Sequence, residues 1–210
     1  MKRLETERLV LRQWEPEDAD FVLDLYSRWE VQRFIGNHPQ VMRDRAEAED
    51  RIRTWRSIGR QDMAHPVHGI WAVELKEPAT PTTLAGTLLL KSIPASSGSL
   101  PLQPSGDTEI GWHFHPDHWG NGYASEAAAA VLAYALDNGL DKVVAVTAPA
   151  NTASQRVCAR IGMTHCGRTD RYYNALCELF EAKAPHPSKA PAKTRPTTAG
   201  NTAVVRLPDQ

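Results

Sequence analysis

The chain is predicted to fold as one mixed α/β domain. Strand-like segments alternate with segments of helical period from residue 8 to residue 163, and two last strands around a short polar turn end the order as a hairpin. The bulk agrees: of 210 residues, 41% are hydrophobic and 23% charged, enough for one sizeable core in a globular domain. After Pro185 the composition shifts to Pro, Ala, Thr and Lys without apolar periodicity until a short AVVRL. The domain is therefore assigned to residues 1–183 and a flexible tail to 184–210. The tail reads as solubilising, with a weak basic partner site at Lys189, Lys193, Arg195 and Arg206 as the alternative.

Residues 8–14, RLVLRQW, read as the first strand. Pro16 starts a helix in which Phe21, Val22, Leu25, Tyr26 and Trp29 recur at helical spacing. A second helix fits 44–58, with Ala48, Ile52, Trp55 and Ile58 as its stripe. Segments 69–76 and 84–90 read as neighbouring strands joined through a turn at Pro78–Pro81, and 92–106 reads as a loop by composition. In DTEIGWHF, alternation puts Ile110, Trp112 and Phe114 on one face and Glu109, Gly111 and His113 on the other, unless Gly111 marks a bulge. A helix over roughly 124–138 stops at Asn138-Gly139. KVVAVTA is a buried-type strand, and Asn151 caps a short helix reaching Gly162. Strands at about 164–172 and 175–183 complete the order.

A formal net charge of −1 gives no global field for nucleic acid or an anionic membrane. The N-terminus lacks an apolar h-region and no run reaches the ~18 apolar residues of a membrane span. Cys158, Cys166 and Cys177 are odd in number and form no C-x-x-C pair, against a disulfide framework or structural zinc and for a reducing compartment; cytoplasm is the expected location.

The informative stretch is HPDHWGNGYASEAAAAVLAYAL, residues 115–136. A helix N-terminus leaves backbone N–H groups without partners, and glycines at 120 and 122 remove side chains that would hold an anion away from them. The pattern is neither a P-loop nor G-x-G-x-x-G, which disfavours a nucleotide triphosphatase and a dinucleotide fold. WGNGYA, residues 119–124, resembles the acyl-CoA pyrophosphate loop of the GCN5-related N-acetyltransferases (GNAT), and most nearly the ribosomal-protein N-terminal acetyltransferase branch. TERLVLR (6–12), EIGW (109–112) and NTASQRVCARIGM (151–163) are similar to further family segments in the same order, so the likeness spans about residues 4–183.

The resemblance implies a mostly antiparallel sheet whose fourth and fifth strands splay apart, with pantetheine lying between them as an added strand would. It implies acetyl-CoA as cosubstrate, no metal, and an amine acceptor that is a protein N-terminus or a small molecule. Carried over, the backbone near His113, Phe114 and His115 bonds pantetheine, and the N–H groups of Trp119, Gly120, Asn121, Gly122, Tyr123, Ala124 and Ser125 hold the pyrophosphate. Asn151 bonds the pantetheine amides, or serves only as the helix cap; Arg156 or Arg160 reaches the adenosine phosphates, or is a solvated helix arginine. Acceptor pockets in this fold come mainly from the first two helices and the last hairpin. Homodimers are common among the proteins it resembles.

Acetyl transfer needs a deprotonated amine, a polarised thioester carbonyl and a stabilised leaving thiolate. Glu109, on the strand leading into the cradle, is the candidate base, acting through water because an ordinary carboxylate is a poor direct base for an ammonium. Where many family members carry a tyrosine seven residues beyond the helix asparagine, this chain has Cys158, with Ser154 one turn earlier on the same face. Ser154 is preferred as donor to the thiolate; Cys158, or a phenol from Tyr172 or Tyr173, is the alternative. His113, His115 and His118 form H-x-H-x-x-H, a spacing compatible with a zinc hydrolase, though no carboxylate in a metal-binding helix pattern completes it. A non-catalytic acyl-CoA sensor is the remaining alternative.

Overall fold

The computed structural model describes residues 1–58, 66–77 and 83–184. Among them one sheet of eight strands runs through the molecule: β1 (Leu4–Glu5), β2 (Leu9–Gln13), β3 (Gly69–Leu75), β4 (Leu84–Pro94), β5 (Pro104–Phe114), β6 (Lys142–Thr147), β7 (Thr164–Thr169) and β8 (Cys177–Lys183). Their spatial order is β1-β2-β3-β4-β5-β6-β8-β7, and every neighbouring pair is antiparallel except β5 with β6. The parallel pair is bridged by helix α4 (Tyr123–Asp137), the long crossover that parallel strands require.

Alternation along the strands builds a core on each face. Trp71, Val73, Leu88, Leu90, Ile110 and Phe114 pack on the α4 side, where Ala127, Ala128, Val131, Leu132 and Ala135 form a helical stripe. The small alanines let α4 lie close to the sheet, and α5 (Thr152–Arg160) adds Val157 and Cys158. The opposite face, including Ile70 and Ala72, takes α1 (Ala19–Ser27) and α3 (Arg45–Ser57) through Val22, Leu25, Tyr26, Ala48, Ile52 and Trp55. Among the described residues no helix is long and apolar enough to cross a membrane.

Several elements depart from their sequence-based bounds. β1 was not foreseen, because two residues are too short to show a period; it is fixed by pairing of Leu4 with Leu11. Pro16 opens a 3-10 turn (Pro16–Asp18) ahead of α1, and α1 ends at Ser27 because Arg28 is extended. Trp29 therefore leaves the stripe, enters the short α2 (Trp29–Gln32) and is 54% exposed. The expected loop at 92–106 is shorter, since β4 runs to Pro94 and β5 begins at Pro104, tied by Ser105 Oγ to the Ile93 carbonyl. Gly111 sits in regular register opposite Leu89, without a bulge. The last hairpin has a longer connection than expected, with β7 ending at Thr169 and β8 starting at Cys177. The expected Pro78–Pro81 turn and residues 185–210 lie outside the described residues.

One glycine sets how closely β4 meets β5. A Cβ on Gly86 would stand 2.4 Å from the His113 carbonyl oxygen and 2.9 Å from the Phe114 Cα, both of them backbone. Gly86→Ala should therefore force the two strands apart and destabilise the domain by about 1–3 kcal/mol, read from urea unfolding. A loss below about 0.5 kcal/mol, the usual range for an uncritical surface change, would mean the strands yield freely here.

Candidate active site: an anion cradle below an open strand edge

β5 leads through a 3-10 turn, Pro116–His118, into the glycine segment. Gly120 and Gly122 adopt φ of +80° and +82°, a left-handed conformation that side chains resist. Gly122 is the N-cap of α4 and supplies no side chain to cap it. The Trp119 N–H donates to Pro116, so it is already used; the first N–H of α4 to find a backbone partner is that of Glu126, on Gly122. Six successive N–H groups, from Gly120 to Ser125, make no hydrogen bond among the described residues. With the helix dipole behind them they form an anion-binding concavity. The Trp119 N–H, expected among the cradle's donors, is thus engaged within its own turn.

The cradle is tied to the start of the chain, a connection absent from the sequence reading. The Glu126 carboxylate accepts from the Thr6 hydroxyl (2.5 Å), the Arg8 N–H (2.9 Å) and the Arg8 guanidinium (2.7 Å). Burial would raise the Glu126 pKa, but the Thr6 hydroxyl and the Arg8 donors together hold it below the usual range. Arg8 also donates to the Asn121 carbonyl (3.1 Å) and lies over the Tyr123 ring at 4.8 Å. The guanidinium thereby fixes both sides of Gly122.

Above the cradle β5 parts from β6. Their only register pair is Glu109 with Val144. The His115 N–H donates to Ala85 on β4 (2.9 Å), which sets the phase of the antiparallel ladder. His113 and Gly111 face β4 likewise, whereas Ile110, Trp112 and Phe114 direct N–H and C=O toward the open side. The Phe114 carbonyl is taken by the Trp119 indole (2.7 Å), leaving the Trp112 groups and the Phe114 N–H. The backbone of His113 and His115, expected at the open side, thus faces β4, and Trp112 has its groups on the open side instead. Across the gap, Thr147 at the end of β6 is buried and its hydroxyl has no hydrogen-bond partner among the described residues. A threonine ending an apolar strand was the sole sequence signal for it.

Side chains of the other β5 face gather the titratable groups. Glu109, 6% exposed, accepts from the Tyr173 phenol and pairs through the same Oε1 with Lys91 (2.6 Å). Its Oε2 makes no hydrogen bond among the described residues. Tyr173 and Asn174 have φ of 59° and 53°, held by bonds of Asn174 to Ser96 and Ser97. This turn delivers Tyr173, not Tyr172, to Glu109. Burial raises the Tyr173 pKa, and the Glu109 charge raises it further, so the phenol keeps its proton. Tyr172 points instead into a buried cluster with Ile93, Val144 and Leu179, and donates to Asp107 (2.7 Å).

Helix α5 places Ser154 half-buried, its N–H on the Asn151 Oδ1 (3.2 Å), so Asn151 does cap. Cys158 is fully buried and burial pushes its thiol up to about 12. Arg156 and Arg160 are exposed. The three histidines diverge: His113 Nδ1 meets the Tyr26 hydroxyl (2.9 Å), His115 Nε2 meets Asp24 (3.1 Å), and His118 packs edge-on to Tyr123. Among the described residues no three His, Cys, Asp or Glu side chains are grouped to hold a metal ion.

If the tie to strand β2 shapes the cradle, Glu126→Ala should weaken CoA binding about tenfold, or ~1.4 kcal/mol by calorimetry, in a protein that still folds. An unchanged Kd would show that the glycine turn holds its shape unaided.

Comparison with known proteins agrees with this geometry. Residues 8–164 match the family model described as an acetyltransferase (GNAT) domain. The chain is 30% identical over 171 residues to the uncharacterized N-acetyltransferase YoaA of Bacillus subtilis (strain 168), covering 80% of this chain and 86% of that protein. A GNAT-family acetyltransferase from Bacillus anthracis superposes with a TM-score of 0.62 at 25% identity, over 86% of this chain and 96% of that one. In fold the chain is also similar to the ribosomal-protein-S5-alanine acetyltransferase of Vibrio fischeri, with a TM-score of 0.66 at 14% identity over 89% and 98% of the two chains. From the family match, the cradle and the splayed strands together, the chain belongs to the GNAT acetyltransferase family.

Proposed function

We propose that this N-acetyltransferase moves the acetyl group of acetyl-CoA directly to a primary amine, a protein N-terminus or a small molecule, within a ternary complex. The observation that carries the reading is the run of six unpartnered N–H groups from Gly120 to Ser125. They fit a pyrophosphate; the open Trp112 edge and the orphan Thr147 hydroxyl fit a strand-like pantetheine. Bound there, acetyl-CoA supplies an activated acyl group with a thiol leaving group.

The chain's own residues supply the rest. Glu109 Oε2 takes the amine proton through a water, while Tyr173 and Lys91 hold the carboxylate by Oε1. The Trp112 N–H polarises the acyl carbonyl as the N–C bond forms and the C–S bond breaks. Ser154 donates to the departing sulfur, since Tyr172 is committed to Asp107 and Cys158 is enclosed. Direct transfer follows from the same burial: a fully enclosed thiol with its pKa near 12 is no nucleophile.

Saturating acetyl-CoA, at a hundredfold excess over Kd, should stabilise the wild type by ~2.7 kcal/mol, roughly 5–10 °C in Tm. Gly122→Glu should abolish the shift, its own unliganded melt reporting that it folds. No shift in the wild type would overturn the cosubstrate assignment, and a shift without turnover on any amine would leave a CoA sensor. Glu109→Gln should lower kcat by about 10²-fold. Tyr173→Phe should lower kcat by about tenfold with the KM for acetyl-CoA unchanged, the split expected of a residue that positions the base.

A further inference from the structure

Many charges of the helical layer and the strands beside it are paired, although among the described residues Glu17, Glu30 and Arg33 make no ion pair. Asp18 and Glu74 hold Arg12, Asp24 holds Arg28, and Glu47 holds Arg43. Asp20 and Glu49 share Arg45, Asp50 pairs with Arg53, and Glu15 with Arg56. Arg51 is different. Its natural helical partner, Glu47 four residues earlier, is turned to Arg43 at 2.6 Å. Among the described residues Arg51 makes no ion pair or hydrogen bond; its guanidinium lies 5.8 Å from the Tyr26 ring centroid and 5.9 Å from that of Trp55. It lines a cavity of about 120 Å³ with Tyr26, Gln40, Met42 and Glu47.

Tyr26 links this cavity to the sheet: its hydroxyl meets Thr87 Oγ1 on β4 (3.0 Å) and His113 Nδ1 on β5 (2.9 Å). On the same face of β5, His113 and Glu109 flank Gly111, over which the Leu89 side chain of β4 packs. Burial, with Arg51 and Lys91 adding to it, lowers the His113 pKa to about 4, so His113 is neutral and Arg51 is the cation that a ligand meets here. A guanidinium stacked on two aromatic rings keeps its donor edges for a bidentate anion.

We infer that the acceptor is a primary amine carrying a carboxylate, with the amine at Glu109 and the carboxylate on Arg51 in the cavity lined by Tyr26. The inference rests on the acetyltransferase reading above. A free amino acid and an acidic peptide side chain present the same carboxylate, and the arms of the test separate them.

The experiment compares acetylation of three matched pairs by the full chain: leucine and leucinamide, 6-aminohexanoate and 6-aminohexanamide, and the peptide amides Ser-Glu-Ala and Ser-Gln-Ala. Spermidine and tyramine serve as carboxylate-free amines. At least one acid should exceed its amide by about tenfold or more in kcat/KM, mainly through KM, and the pair that does so identifies the source. Arg51→Gln should bring that ratio near one while leaving the amide rate and the KM for acetyl-CoA unchanged; Arg51→Lys should restore part of it. Amides equal to acids in all pairs, a ratio that survives Arg51→Gln, or turnover confined to spermidine or tyramine would overturn the inference and leave the acetyltransferase reading intact. No turnover with any amine would overturn both.

Discussion

Backbone groups that a closed sheet would pair internally are left without partners where β6 turns away from β5 after the single Glu109–Val144 pair. The rest of the site depends on that divergence. A lone parallel pair cannot hold two strands together along their length, and α4 with its glycine turn occupies the crossover between them. The open edge at Trp112, the orphan hydroxyl of Thr147 and the free N–H groups at the start of α4 consequently belong to one region. Unpaired polar groups are costly when buried, and a ligand that supplies their partners recovers the cost.

The two faces of β5 divide the labour. Ile110 and Phe114 anchor the strand in the core under α4, while on the other face His113 meets Tyr26 of α1 and Glu109 meets Lys91 and Tyr173. The period of two along a regular strand thus separates what holds the site from what reacts in it. Gly86 belongs to the first task, because its missing side chain lets β4 support β5 at backbone distance. Gly111 belongs to the same task, because its missing side chain lets Leu89 of β4 pack over β5 between Glu109 and His113.

Long-range polar ties then fix the parts that alternation cannot. Glu126, in the first turn of α4, takes donors from Thr6 and Arg8, 120 and 118 residues away in sequence. Tyr173 reaches Glu109 from the last hairpin through two consecutive left-handed residues, a conformation held in place by the Asn174 bonds to Ser96 and Ser97. A carboxylate with one oxygen fixed and the other unpartnered is oriented before substrate arrives, which lowers the reorganisation that proton transfer requires.

What the sequence determined by itself was local. The alternation of Ile110, Trp112 and Phe114 against Glu109, Gly111 and His113, the Asn151 cap, the Gly139 stop and the glycine turn before α4 all arise within a few residues. Glu109 was legible because its face follows from strand period. Only tertiary structure decided which backbone groups stay open, since the phase of the ladder is set by the partner strand: the His115 N–H on Ala85 moved the open edge to Trp112. Only tertiary structure chose Tyr173 over Tyr172, because a turn with positive φ breaks the alternation that sequence reasoning extends. The partners of Arg8, and the want of a carboxylate for Arg51 among the described residues, were likewise invisible. Charge pairing is a matter of distance in space, and a sequence lists its charges without saying which are neighbours.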